Sequence, residues 1–508
     1  MTMNLELLEK SLLELVRKTS VSLPPDAAEV INTRRALEAA GSSAELALSL
    51  VASNIQMARR LSAPICQDTG TISFFVKAPK DFDAIQFEKA ACLAVAEATR
   101  RGYLRQNSVD PVDGKNTGDN LGPGSPLFHF HQHEESNIDV RLILKGGGCE
   151  NMSAQYSLPT KIQGVGADRD MEGVRRCILD AVWQAQGKGC GPGFLGVCIG
   201  GDRASGFAAA KEQLLRSVDD TNADPVLAEL EAEILSQANE LMIGPMGFGG
   251  RFTIGACKVS KLNRLPASFF VSIAYMCWAY RRRGVVLNHD GGIDHWLYEN
   301  SQDESELEPS FLGSGAYGAA SRKLRTPLTE EDVRSLRSGD IVLLSGTVRT
   351  GRDEVHKFLH KGGEIPSLQG SVIYHCGPVV VERNGERKVV AAGPTTSIRE
   401  EPYQAEVIKR YGIRAVIGKG GMGPKTLSAL KECGAVYLHA IGGAAQIYAG
   451  CVRKVLGVEM LAEFGSPEAV WELEIQDFPA IVTMDSTGLS LHAQVENTSK
   501  HCLMVSLA

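Results

Sequence analysis

The stretch Pro64-Ile65-Cys66-Gln67-Asp68-Thr69-Gly70 sets a thiol, a carboxamide and a carboxylic acid side by side, just before a Thr-Gly turn signal. Such a segment can present a soft metal ligand and an acid to one point. A single cysteine in this setting is more often a buried packing residue beside a capping acid, so partner segments decide. Two further cysteines stand in equally marked settings. Cys190 is bracketed by Gly189 and Gly191-Pro192-Gly193, and Cys277 lies in the apolar run from Pro266 to Tyr280, ahead of Arg281-Arg282-Arg283. The three are too widely separated for the paired Cys-x-x-Cys of a zinc ribbon. Thiolates delivered by three distant loops suit an iron–sulfur cluster instead. Three cysteine ligands on a four-iron cluster leave one iron open as a Lewis acid towards a hydroxyl and a carboxylate. The other cysteines, of twelve in all, compete for the same role.

Cation-rich, glycine-rich loops supply a second chemistry. Gly351-Arg352-Asp353 with His356, Gly393-Pro-Thr395-Thr-Ser-Ile-Arg399 and Gly418-Lys419-Gly-Gly-Met-Gly423 each follow a strand-like run. Loops at strand carboxyl ends that open helices are where α/β sheets bind anions. Two Arg and a Lys there point to a phosphate or to more than one carboxylate. Lys145-Gly146-Gly147-Gly148-Cys149 lets backbone amides approach a ligand, or forms a plain bend. His129, His131 and His133 would share one strand face and could bind zinc; the flanking phenylalanines favour an ordinary half-buried strand. The triple arginine reads as a solvated end, with acidic partners as the alternative.

The elements that must position these residues differ between the two halves. Leu5, Leu8, Leu12 and Leu15 mark a first amphipathic helix. Helices are expected over 26–40, 44–61 and 87–101, with a short strand over 71–76. The first half therefore reads as mostly helical. Residues 300–309 are acidic and polar, residues 313–321 are small, and together they suggest a linker. Beyond it, strand-like runs at 341–348, 371–374, 379–382, 389–392, 415–417 and 435–440 alternate with helices, an α/β texture. The boundaries drawn are 1–298, a linker over 299–326, and 327–508. A net charge of −7 argues against a general nucleic-acid surface. There is no apolar run of membrane-spanning length and no signal-like start, and many cysteines without one suggest a reducing, cytoplasmic setting.

Taken together, the motifs resemble the iron–sulfur-dependent class I fumarate hydratases over nearly the whole chain. The resemblance rests on Ile65–Gly70, Lys145–Gly148, Cys190 ahead of Ile199-Gly200-Gly201, Cys277 with its trailing arginines, and the three loops of the second half. It implies a helical cluster-binding domain, a smaller swivelling α/β domain, a site in the cleft between them, and a homodimer. Cys66, Cys190 and Cys277 become the ligands of a [4Fe-4S] cluster. Gln67, Asp68, Arg105 and Gly148 contact a small dicarboxylate from one side; Arg352, Thr395, Arg399 and Lys419 contact it from the other. The implied reaction is reversible hydration of fumarate to (S)-malate, with Thr395 as base and Asp68 as acid. Two positions depart from relatives: Leu265, where His is frequent, and Cys149, where Ser is frequent. Both are less polar, which suggests room for mesaconate, hydrated to (S)-citramalate. L(+)-tartrate dehydration, an iron-sensing nucleic-acid-binding regulator using Gly418–Gly421, and a zinc protein are the alternatives.

Overall fold

A computed structural model describes residues 3–299, 321–383 and 385–508. Most of the linker expected at 299–326 lies outside the described residues. The part that is described, Arg322–Arg325, is an edge strand rather than a tether, running parallel to Ile341–Thr350.

The first half is not mostly helical. It carries a five-stranded sheet in the order Ile293–Leu297, Arg282–Leu287, Ile138–Lys145, Thr71–Ala78, Leu127–Gln132. A four-stranded sheet follows the order Ala154–Ser157, Phe270–Met276, Gly193–Gly200, Ile254–Leu262. Phe270–Met276 and Arg282–Leu287, the strands that the sequence hides, are buried almost throughout, so they show no alternation of polar and apolar residues. Helix Leu5–Val21 packs on helix Ala84–Arg100 and the larger sheet. The expected helix over 26–40 is shorter, Pro25–Arg34 followed by one tighter turn. Helix Ser43–Leu61, capped by Ser42, leads into the Cys66 turn as its spacing predicts.

The second half is α/β. Strands Ile341–Thr350, Val372–Tyr374, Ala415–Gly418 and Val436–His439 run parallel in that order. The long strand Val470–Met484 pairs antiparallel with both the last and the first of them, closing the sheet into a ring. Arg352, His375 and Lys419 all emerge just past the carboxyl ends of these parallel strands. Residues 379–391 form a separate hairpin, which delivers Thr395. One hydrophobic core runs through both halves, from Val51 and Ile178 to Ala415 and Leu438.

The arginine triplet is not a solvated end. Arg281, Arg282 and Arg283 are among the largest fully buried side chains. Arg282 Nη2 pairs with Asp26 Oδ2 at 2.5 Å, and its guanidinium stacks on Tyr280 and Tyr298. Burial alone would raise the Asp26 pKa, but the adjacent Arg282 overrides it and holds the carboxyl below its usual value. The zinc reading of the histidine strand also loses its ligand face. Phe128 packs inward on Phe74 as expected and Phe130, though exposed, lies edge-on to Phe87, whereas His129 stacks on Phe75, His131 meets Glu212, and His133 bonds to the Asn137 carbonyl.

Asp26→Asn strands the Arg282 charge in the interior, which costs about 3–5 kcal/mol. A large drop in the urea midpoint at pH 7 is the expected result. The Asp26 contribution is present above the pKa of an unfolded aspartate and is lost as pH falls through its lowered native value. The gap between wild type and variant should therefore close in acid.

Candidate active site

Cys66 lies in the turn between helix Ser43–Leu61 and strand Thr71–Ala78. Gly70 has φ +84, and a Cβ there would strike the Lys145 carbonyl at 2.6 Å. Only glycine lets this turn pack against the Lys145–Gly148 loop. The approach brings Asp68 to the second loop, where the Gly148 amide lies 3.4 Å from Asp68 Oδ2. Arg105 comes from the end of helix Ala84–Arg100, its Nη2 4.0 Å from Asp68 Oδ1. Burial alone would raise the Asp68 pKa, but Arg105, Arg281 and Lys419 together keep it lowered.

Cys190 precedes strand Gly193–Gly200 in a left-handed conformation, φ +51, rare for a residue with a side chain. Cys277 follows strand Phe270–Met276, where the chain passes from the smaller sheet to the larger. All three thiols are buried and unpaired in disulfides. They are close enough that each thiolate would repel Cys277. Cys149 joins them, within hydrogen-bonding reach of Cys277. Burial pushes Cys66 up to about 11. In the coupled pair, one thiol favours ionisation because the other's S–H, then Lys145 and Lys419, stabilise its charge; its partner stays protonated. Among the described residues, no three His, Cys, Asp or Glu side chains converge tightly enough to grip a single metal ion.

The second half closes over this cluster. Lys419 Nζ donates to Cys190 Sγ at 2.6 Å, and it would lie 3.5 Å from a Cβ placed on Gly148. Gly442 passes so near Cys190 that a Cβ would sit 2.5 Å from the sulfur. Gln67 Nε2 donates to the Pro394 carbonyl at 3.0 Å, and Arg105 Nη1 to Gly377 at 2.8 Å. Thr395 is buried; its hydroxyl donates to the His375 carbonyl at 3.3 Å, and its own carbonyl accepts from the Lys419 amide.

Arg352 lies near enough for its charge to oppose that of Arg105, and Arg399 near enough for its charge to act on His375. They are already engaged by protein carboxylates: Arg352 with Glu468 at 2.9 Å, Arg399 with Asp353 at 3.1 Å. The helix starting at Pro424 does not offer a free N-terminus to an anion, because Glu401 accepts from the amides of Gly423, Lys425 and Thr426 there. Behind the arginines, the Gln404 carboxamide sits 2.9 and 2.8 Å from Nε2 of His356 and His375. Burial lowers both imidazole pKa values, so both rings are neutral.

Four residues at or behind the site escaped the sequence reading. Arg281 is buried beside Asp68 and Cys66, with Nε and Nη1 lacking partners among the described residues. Its only sequence signal was its place just after Cys277. Asn54, Gln446 and Trp278, which tie the halves together, carry no motif. Leu265, by contrast, is 73% exposed in the loop after strand Ile254–Leu262. A side chain this exposed forms no apolar pocket wall, contrary to the expectation.

Residues 9–286 match the family described as fumarate hydratase (fumerase), and residues 294–495 match the fumarase C-terminus. A Geobacillus stearothermophilus protein named "Putative fumarate hydratase class I" is 51% identical over 502 residues, covering 97% of this chain and 98% of its own. The aerobic class I fumarate hydratase of Salmonella typhimurium is 26% identical over 88% of this chain and 77% of its own. The L(+)-tartrate dehydratase subunit beta of Escherichia coli is 36% identical over 34% of this chain and 86% of its own. With both family regions matched and one relative aligned along almost its full length, the chain belongs to the class I fumarate hydratases and is a hydro-lyase.

Proposed function

We propose that the protein interconverts fumarate and (S)-malate, and that Cys66, Cys190 and Cys277 hold a [4Fe-4S] cluster. One observation carries the reading: thiols from three distant segments meet Asp68, Arg105 and Lys419 where the two halves join. The donor set suits such a group. The thiols are unbridged, too spread for one ion, and surrounded by Lys419, Arg281 and Arg105, whose charges offset that of a thiolate-bound cluster. Protons held by raised pKa values leave when iron binds. When bound, the cluster would supply an open iron as Lewis acid to the substrate hydroxyl.

The protein's own groups do the rest. Removing a proton from a carbon next to a carboxylate puts negative charge on that carboxylate. Arg352, Arg399 and Lys419 are fixed cations suited to stabilising it. Burial would lower the Lys419 pKa, but the thiols facing it raise it instead, so it stays an ammonium. Gln67 and Arg105, tethered to backbone carbonyls of the second half, orient the substrate's other end. Asp68, ionised beside Arg105, Arg281 and Lys419, must first take up a proton to serve as acid towards the hydroxyl; Thr395 serves as base towards carbon. For the latter, the Thr395 hydroxyl must turn away from the His375 carbonyl, and Lys419 and Arg399 favour its alkoxide. The swivel of residues 327–508 against 1–298, a homodimer and a cytoplasmic setting belong to the same reading.

L(+)-tartrate is the second reading, on the similarity to the tartrate dehydratase subunit. Mesaconate remains in question only through Cys149, whose thiol borders the site.

Initial rates on fumarate, malate, L(+)-tartrate and mesaconate should show fumarate and malate as the efficient pair. A higher kcat/KM on tartrate reverses the assignment, and undetectable turnover of mesaconate ends that extension. Cys190→Ser should abolish activity and iron binding with the fold intact, while Cys502→Ser keeps both. Full activity of wild type after aerobic treatment with chelator would contradict the cluster. Lys419→Met should lower kcat/KM by roughly 10²–10³.

A further inference from the structure

Beside Arg399 lies a buried acid that the hydration reaction does not use. Glu400 is fully buried, and among the described residues no other residue donates a hydrogen bond to either of its carboxyl oxygens. Its own turn contributes Arg399, with Nη2 4.0 Å from Oε1. The start of helix Asp353–His360 contributes Arg352 and Asp353, and strand Val436–His439 contributes Tyr437. Glu468, from the segment before strand Val470–Met484, faces Arg352, Asp353 and Arg399. His375, whose ring feels Arg399 and Arg352, and His356 are both neutral. Two guanidinium groups thus stand among three carboxyl groups, Asp353, Glu400 and Glu468. A dicarboxylate brings two more negative charges, so it binds well only where some cationic charge is left for it.

We infer that Glu400 is a positioning residue that works by staying protonated: neutral, it leaves the Arg399 charge to the substrate carboxylate, and ionised, it competes for that guanidinium and weakens dicarboxylate binding. This rests on the reading that Arg399 holds substrate. Burial, then Asp353, push the Glu400 carboxyl up to about 8, against the pull of Arg399 and Arg352. A carboxyl raised in this way is neutral below that value and charged above it. Affinity therefore falls as pH rises past it, with no matching loss at neutral pH.

The test compares wild type with Glu400→Gln, whose amide mimics the neutral acid in size and charge. From pH 7 to 9 the wild-type KM for malate should rise roughly tenfold more than that of the variant, with kcat unaffected by the substitution. At pH 7 the two KM values should coincide. Calorimetry of succinate binding at pH 8, in two buffers of different ionisation enthalpy, should show uptake of a fraction of a proton by wild type and none by Glu400→Gln. A variant that keeps the wild-type KM rise or the proton uptake overturns the inference. So does a variant whose KM at pH 7 is raised as far as that of Arg399→Gln. If Arg399→Gln leaves succinate binding unchanged, the assignment of Arg399 to the substrate fails first, and the inference with it.

Discussion

The buried carboxamide of Asn54 joins the two halves of the chain, and the geometry of the thiol cluster depends on it. Its Nδ2 donates to the Ile65 carbonyl at 2.9 Å, and its Oδ1 accepts from the amides of Gln446 and Ile447 at 2.7 and 3.2 Å. Gln446 returns the contact by donating to Pro64 and Val390, and Trp278 Nε1 donates to Gly442. Two of these bonds end beside thiol-bearing positions: Ile65 precedes Cys66, Trp278 follows Cys277, and Gly442 lies against Cys190. A buried amide left without partners costs its full desolvation, so these bonds specify one docking of the halves rather than merely stabilising it. The continuous apolar core supplies the bulk of the attraction.

That docking places charge where water is scarce. Thiols that burial would keep neutral face Lys419, Arg281 and Arg105, while Asp68 is held ionised by the same cations. The low-dielectric surroundings strengthen these interactions and make any unpaired member expensive. Arg281, with two N–H groups unpartnered among the described residues, is such a member, and a bound anionic ligand is the natural way to satisfy it. The second half treats its cations differently. Arg352 and Arg399 are shared with Glu468 and Asp353, which fix the guanidinium groups in place while limiting the charge they offer. One side of the site is therefore cation-rich and the other nearly balanced, a division that suits a substrate with two carboxylates in different surroundings.

The sequence by itself determined the local pieces. Gly-bracketed Cys190, the Cys66-Gln67-Asp68 turn, and glycine loops at the ends of short β-branched runs all announce themselves through residue types within a few positions of each other. The parallel strands of the second half were legible for the same reason: Ala415–Gly418, for example, is bounded by turn residues and followed by a helix that Gly434 stops. What only the tertiary structure decided depends on contacts between distant segments. In the first half, Phe270–Met276 and Arg282–Leu287 are buried on both faces and lose the alternation that would reveal them. The arginine triplet looks solvated until Asp26, Tyr280 and Tyr298 close around Arg282. The family resemblance sets Leu265 beside the cleft, yet the loop carries it outward. Glu400 follows Arg399 with nothing to mark it, and only the packing of three segments around its carboxyl makes it unusual. Local sequence encodes backbone preference and ligand chemistry; burial and the field at a charged group are sums over the whole fold.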